Sequence, residues 1–88
     1  MTNTEIARRL QKYARELGHK HDNLYRIRAY RRAAVVVLGL TRPVEELEPW
    51  ELEALPGIGN HISASIAHLA RTGEWKTHQA LTSGELAL

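Results

Sequence analysis

The residues of this 88-residue chain with the most chemical potential begin at Leu55-Pro56-Gly57-Ile58-Gly59, followed by Asn60 and His61. A Pro-Gly turn feeding a helix aims main-chain amides of the helix's first turn at one point, and the helix dipole adds positive potential there. Such a nest suits one phosphate group and is blind to base sequence. The two glycines permit positive φ and close approach of another backbone, and Ile58 is placed to plug the gap beneath the turn. His61 sits beside the nest and can donate to a phosphate, more readily when protonated.

A second group is Arg26, Arg28, Arg31 and Arg32. On a helix, Arg28 lies with Arg32 at a spacing of four and with Arg31 at a spacing of three. The pattern is that of a phosphate-tracking stripe beside Tyr25 or Tyr30, where an aromatic ring could stack. The alternative is a solvated face with an arginine or two paired to carboxylates. Tyr30 is expected in the core with its hydroxyl at the edge. Arg8, Arg9, Lys12 and Arg15 form a further basic surface that reads as a solvated face. His19-x-His21 with Asp22 could bind a transition metal, but the spacing is short and the segment reads better as a polar linker. Ser63 and Ser65 have no positioned base, so serine nucleophilic catalysis is not expected.

These groups must be held by helices. Thr2 and Glu5 have capping-box spacing ahead of Ile6, Leu10, Tyr13, Ala14 and Leu17, which predicts an amphipathic helix over 3–17 stopped by Gly18. Asp22 or Asn23 caps a second helix over 24–38, with Leu24, Ile27, Ala34, Val37 and Leu38 inward and Gly39 at its end. Pro43 and Pro49 suit first helical positions and predict short helices over 43–47 and 49–54. After the turn, Ile62, Ile66, Leu69 and Ala70 predict a helix over 60–71, with Gly73 beyond it. Residues 75–81 read as one more stretch of helix and 82–88 as a frayed tail. Trp50 and Trp75 are most simply core or edge-of-core residues; exposed, they would mark a partner surface. The expected fold is all-α, a compact bundle of four to five short helices in one domain over 1–81.

The formal charge of +2 hides a division. Residues 1–42 hold ten basic and three acidic side chains, a net +7, whereas residues 43–88 hold two and seven, a net −5. The basic half suggests a polyanionic partner, and the acidic half a basic protein partner. Apolar residues make up 43% of the chain, chiefly Leu and Ala with no Phe, which favours close helix packing over a roomy substrate cavity. The absence of cysteine excludes disulfides and thiolate metal sites. The longest apolar run, residues 33–40, is far too short to cross a bilayer. Charges at Glu5, Arg8 and Arg9 leave no signal-like apolar core, so a cytoplasmic protein with no membrane partner is expected.

Leu52–Ile66, with its turn flanked by helices, resembles the helix-hairpin-helix motif. The resemblance extends through Asn23-Leu24-Tyr25-Arg26-Ile27-Arg28-Ala29-Tyr30-Arg31-Arg32-Ala33-Ala34 and Thr72-Gly73 to the N-terminal domain of X-family (polymerase beta-like) DNA polymerases, covering about residues 3–81. It implies a helical repair module that binds the 5′ side of a DNA gap, often with 5′-deoxyribose-phosphate lyase activity. It also implies a monovalent cation, K⁺ or Na⁺, held by backbone carbonyls that here belong to Glu53, Leu55 and Ile58. The family's lyase lysine, six residues past the second glycine, corresponds to Ser65, which cannot form an imine. The family's basic residues around the pocket correspond to His61, Glu53 and Thr77, while Arg26 and Arg32 keep a charge where the family has lysines. Of the three lysines, Lys12, Lys20 and Lys76, none lies on the helix after the turn.

The expectation is therefore a non-catalytic, sequence-independent binder of gapped, nicked or 5′-end DNA. It would use Arg26, Arg28, Arg31, Arg32, Gly57, Ile58, Gly59, Asn60 and His61, and require no cofactor. A protein-interaction domain or accessory subunit is the second expectation, and a residual lyase using Lys20 or another lysine the third.

Overall fold

The computed structural model describes residues 1–74. It contains α1 (Asn3–His19), α2 (Leu24–Leu38), a single 3₁₀ turn (Val44–Glu46), α3 (Pro49–Glu53) and α4 (Asn60–Thr72), with no strand among the described residues. The all-α expectation holds. The predicted helix over 75–81 and the tail over 82–88 lie outside the described residues.

Thr2 and Glu5 form the expected capping box. The Glu5 amide donates to Thr2 Oγ1 at 3.1 Å, and the Thr2 amide donates to Glu5 Oε1 at 2.8 Å. Hydrogen bonding from Thr2, chiefly from its amide, holds the Glu5 carboxyl below its ordinary value. The helix runs past Gly18, and His21 supplies the left-handed residue instead, at φ 55°. The His21 amide then reaches Gly18 O and the Asp22 amide reaches Leu17 O, a Schellman closure that satisfies two end carbonyls.

Asn23 caps α2 through a 2.7 Å bond from the Tyr25 amide to Asn23 Oδ1. The inward face of α2 is Ile27, Tyr30, Ala33, Ala34 and Val37. Leu24 and Leu38, expected inside, are instead 57% and 51% exposed. Leu24 overhangs at the first helical position, and Leu38 is rotated about 100° past Val37, off the buried stripe.

The short connection folds α2 back along α1. Ala14, Ala33 and Ala34 are fully buried, and small residues on packed helices let the axes approach closely. The Tyr13 and Tyr30 rings meet edge to face, with centroids 4.8 Å apart and planes at 74°.

Asn3 anchors the chain beyond α2. Its Nδ2 donates to Arg42 O at 2.8 Å, and its Oδ1 accepts from the Val44 amide at 2.9 Å. Arg42 reaches Glu46 O at 3.0 Å and Glu51 Oε2 at 3.3 Å. The predicted helix over 43–47 closes only as the 3₁₀ turn. Its bonds are those of Glu46 to Pro43 and Leu47 to Val44, and Pro49 follows too soon for a longer helix. Leu52 is the residue α3 buries. Trp50, one of its first residues, is 69% exposed, contrary to its expected core position, because a helix of about one and a half turns has only one inward position to offer. Ile62, Ile66, Leu69 and Ala70 of α4 join Leu52, Val44 and Ile58 in the common core.

Candidate nucleic-acid interface

Between α3 and α4 the chain turns in six residues. The Ile58 amide donates to Leu55 O at 3.1 Å, and Gly57 takes φ 77°, a left-handed conformation that strains any residue with a Cβ. Ile58 then drops into the core, as expected for a plug between the helices. Gly59 differs from expectation. Its backbone is extended, at φ −87° and ψ −179°, so it is not glycine for the sake of positive φ.

Gly59 is the N-cap of α4. The helix ladder begins where the Ser63 amide donates to Gly59 O at 2.9 Å. The amides that precede the ladder in a first turn have no acceptor within the helix itself. Gly59 has no side chain to cap them, and a Cβ placed there would meet nothing within 4 Å. The start of α4 is thus unfilled and opens on space.

That space is bounded by α2. A cleft of about 440 Å³ is lined by Tyr25, Arg28, Ala29 and Arg32 on one side and by Gly57, Ile58 and Gly59 on the other. A second hollow of about 320 Å³ lies against the same turn, with Arg26, Asn60 and His61 at its wall. Tyr25, 83% exposed, borders both. Ala29 also borders both, and its small side chain leaves room between the ring and the turn. The two sequence groups, hairpin and arginine run, therefore meet at one place.

The arginines do not all go there. Arg28 and Arg32 face the cleft; Arg26 is next to it but pairs with Asp22 at 3.3 Å. Arg31 turns away and lines a separate groove with Gln11, Arg15 and Val35. Of the two expected pairings, Arg28 with Arg32 is found at the cleft and Arg28 with Arg31 is not, because the α1 contact and the hairpin lie on opposite flanks of α2. Of the two tyrosines offered for stacking, Tyr30 is buried and Tyr25 is accessible. Burial, then Tyr13, pushes the Tyr30 phenol up, and Arg26 pulls it back in part. Ala29 carries no chemistry that would single it out in the sequence, although its place four after Tyr25 and three before Arg32 puts it on their face.

Glu53 is exposed, and the Leu55 carbonyl already takes the Ile58 amide. Ser65 is completely buried, and its hydroxyl donates to His61 O at 3.2 Å. Among the described residues no three His, Asp or Glu side chains converge as a metal site, and no helix is long and apolar enough to cross a membrane.

Two helices joined by a Pro-Gly turn, with the second helix's bare N-terminus facing arginines, define a helix-hairpin-helix domain. The family model for the helix-hairpin-helix domain matches residues 1–75, and the chain belongs to that family. As a class, such domains bind DNA without regard to sequence. No curated protein and no solved structure matches the chain significantly.

Proposed function

We propose that this chain is a non-catalytic DNA-binding module that grips a backbone phosphate at the start of α4 and prefers gapped, nicked or 5′-end DNA. The observation that carries the proposal is the bare N-cap at Gly59 opening into the cleft beneath Arg28 and Arg32. The α4 amides and dipole would hold one phosphate, the two guanidiniums its neighbours, and Tyr25 an unstacked base at a DNA discontinuity. The preference for DNA form follows the resemblance to the N-terminal domain of X-family polymerases, as does a role in repair. A single module makes few phosphate contacts, so affinity should be about micromolar or weaker and fall with salt. Measuring binding to gapped, nicked and intact duplexes at two salt concentrations tests this, and a flat salt response would overturn it.

The lyase nucleophile of that polymerase domain has no counterpart on α4. An imine needs a neutral amine at the attacking position. Serine stands there, buried and bonded to the backbone of its own helix. A monovalent cation at the turn fits the donor set. The carbonyls of Glu53, Leu55 and Ile58 are hard oxygens, and Leu55 O keeps a second lone pair after accepting from Ile58. When bound, K⁺ or Na⁺ would add positive potential beneath the phosphate; the chain's own amides and arginines do the gripping.

Exposed Trp50 favours a second reading, a basic protein partner on the acidic half. The ring stands on α3 in a stretch that also carries the exposed carboxylates Glu46, Glu48 and Glu53. Trp50→Ala would leave DNA binding intact and abolish that association.

A further inference from the structure

The fold divides the arginine run of α2 between two flanks, and only one flank belongs to the hairpin cleft. At about 100° per residue, Tyr25, Arg28, Ala29 and Arg32 fall in one exposed sector of the helix. Arg31 and Val35 fall in the adjoining sector, centred about 100° away. There they form a groove of about 300 Å³ with Gln11 and Arg15 of α1.

The α1 side of this groove is itself a basic line. Arg8, Lys12 and Arg15 are spaced four and three apart, share a face with Gln11, and are all exposed. The acids of α1 border this line, Glu5 three residues before Arg8, which helps to lower its carboxyl, and Glu16 four after Lys12, whereas Arg15 and Arg31 have no acid at those spacings on their own helices. Among the described residues the ion pairs are Arg26 with Asp22 and Arg42 with Glu51; none engages Arg8, Lys12, Arg15 or Arg31. Arg15 and Arg31, brought together at the groove from two helices with no carboxylate paired to either, repel one another, and with Arg8 and Lys12 beside them on α1 they complement a polyanion.

We infer that the α1–α2 edge formed by Arg8, Lys12, Arg15 and Arg31 is a second DNA-backbone-binding face, separate from the hairpin cleft. Arg15 and Arg31 contact adjacent phosphates across the groove, Gln11 supplies a neutral donor between them, and Val35, 66% exposed, packs on a sugar. Because both faces share α2, one molecule can engage two backbone segments a helix width apart, as on the two sides of a gap. The edge does not depend on the cleft for any of its residues.

Amide chemical-shift titration with an intact duplex tests this in three forms of the protein: the natural sequence, Arg28→Ala/Arg32→Ala, and Arg15→Ala/Arg31→Ala. The four arginines are exposed, and an unchanged amide dispersion checks that each variant is folded. In the cleft variant, amides of Gln11, Arg15 and Val35 should still shift saturably. In the edge variant those shifts should vanish while Gly57 and Gly59 still respond, and the salt slope of binding should fall by about 1.8, two phosphate contacts' worth. Silence of the edge amides in the natural sequence, or their loss in the cleft variant, overturns the inference. So does a response to vesicles containing phosphatidylserine that exceeds the response to DNA and is abolished by Val35→Asp, since the face would then be a lipid surface. Failure at Gly57 and Gly59 alone would sink the hairpin proposal and leave the edge standing.

Discussion

Arg32 lies across the hairpin with its aliphatic stem on Gly57. A Cβ at position 57 would overlap Arg32 Cδ and sit 3.2 Å from Cγ. The turn's one left-handed glycine is therefore also the surface on which a cleft arginine rests. Gly57→Ala should destabilise the domain by about 1–2 kcal/mol through its φ. Arg32→Ala should not rescue it, since a flexible stem can move aside while the backbone strain remains. Denaturant melts of the two single variants and the double variant would check this; full rescue would show that the stem, not φ, sets the cost.

Gly59 makes the opposite case. Its extended backbone accepts any residue, and nothing occupies the space beside it. Gly59→Asp should cap α4 and leave stability equal or higher by a few tenths of a kcal/mol. The new carboxylate would also stand where a phosphate is proposed to bind, so DNA affinity should fall at least tenfold. Thermal melting and DNA titration of this one variant separate folding from binding.

Among the α2 arginines the effects should be graded. Arg28→Ala and Arg32→Ala should each weaken binding to all sequences alike and lower the salt slope by about 0.9. Arg26→Ala should cost less, because Arg26 is already shared with Asp22 at 3.3 Å. Titrations over a salt series, fitted for slope, give the ranking.

A lysine nucleophile is not expected to act in this chain. Borohydride reduction in the presence of an abasic-site duplex should give no protein–DNA adduct. A stoichiometric adduct lost on replacing Lys12, Lys20 or Lys76 would reinstate the lyase.

Alkaline pH should destabilise the protein through Tyr30. Burial and Tyr13 raise its folded-state pKa above the unfolded value of about 10. The folded state then keeps a proton that the unfolded chain releases. The stabilisation is complete below the unfolded pKa and is lost as pH rises through the folded one. Tyr30→Phe should flatten the alkaline fall in stability, as measured by denaturant melts across alkaline pH.

Much of the fold was legible because local signals agreed. The Thr2–Glu5 box, the Asn23 cap, Pro49 at a first helical position and Gly73 at a left-handed end each acted where the spacing placed it. What escaped was set by tertiary choices. Gly18 has the right residue type for a stop, yet the chain ends the helix two residues later by twisting at His21. Leu24, Leu38 and Trp50 are apolar, but hydrophobicity does not say which face a helix turns inward when few neighbours cover it. The hairpin was readable as a string; its meeting with Arg28 and Arg32 was not, because it depends on how α2 lies beside the turn. The separation of Arg31 from that group arises in the same way, from α1 occupying the other flank.

The start of α4, between Gly57 and Ser63, is the proposed seat of a DNA phosphate. Amide chemical-shift mapping with a gapped duplex tests it most directly. Saturable, salt-sensitive shifts of Gly57, Gly59, Asn60 and Ile62, accompanied by Arg28 and Arg32, are predicted. A titration in which DNA binds and those amides stay still would contradict it.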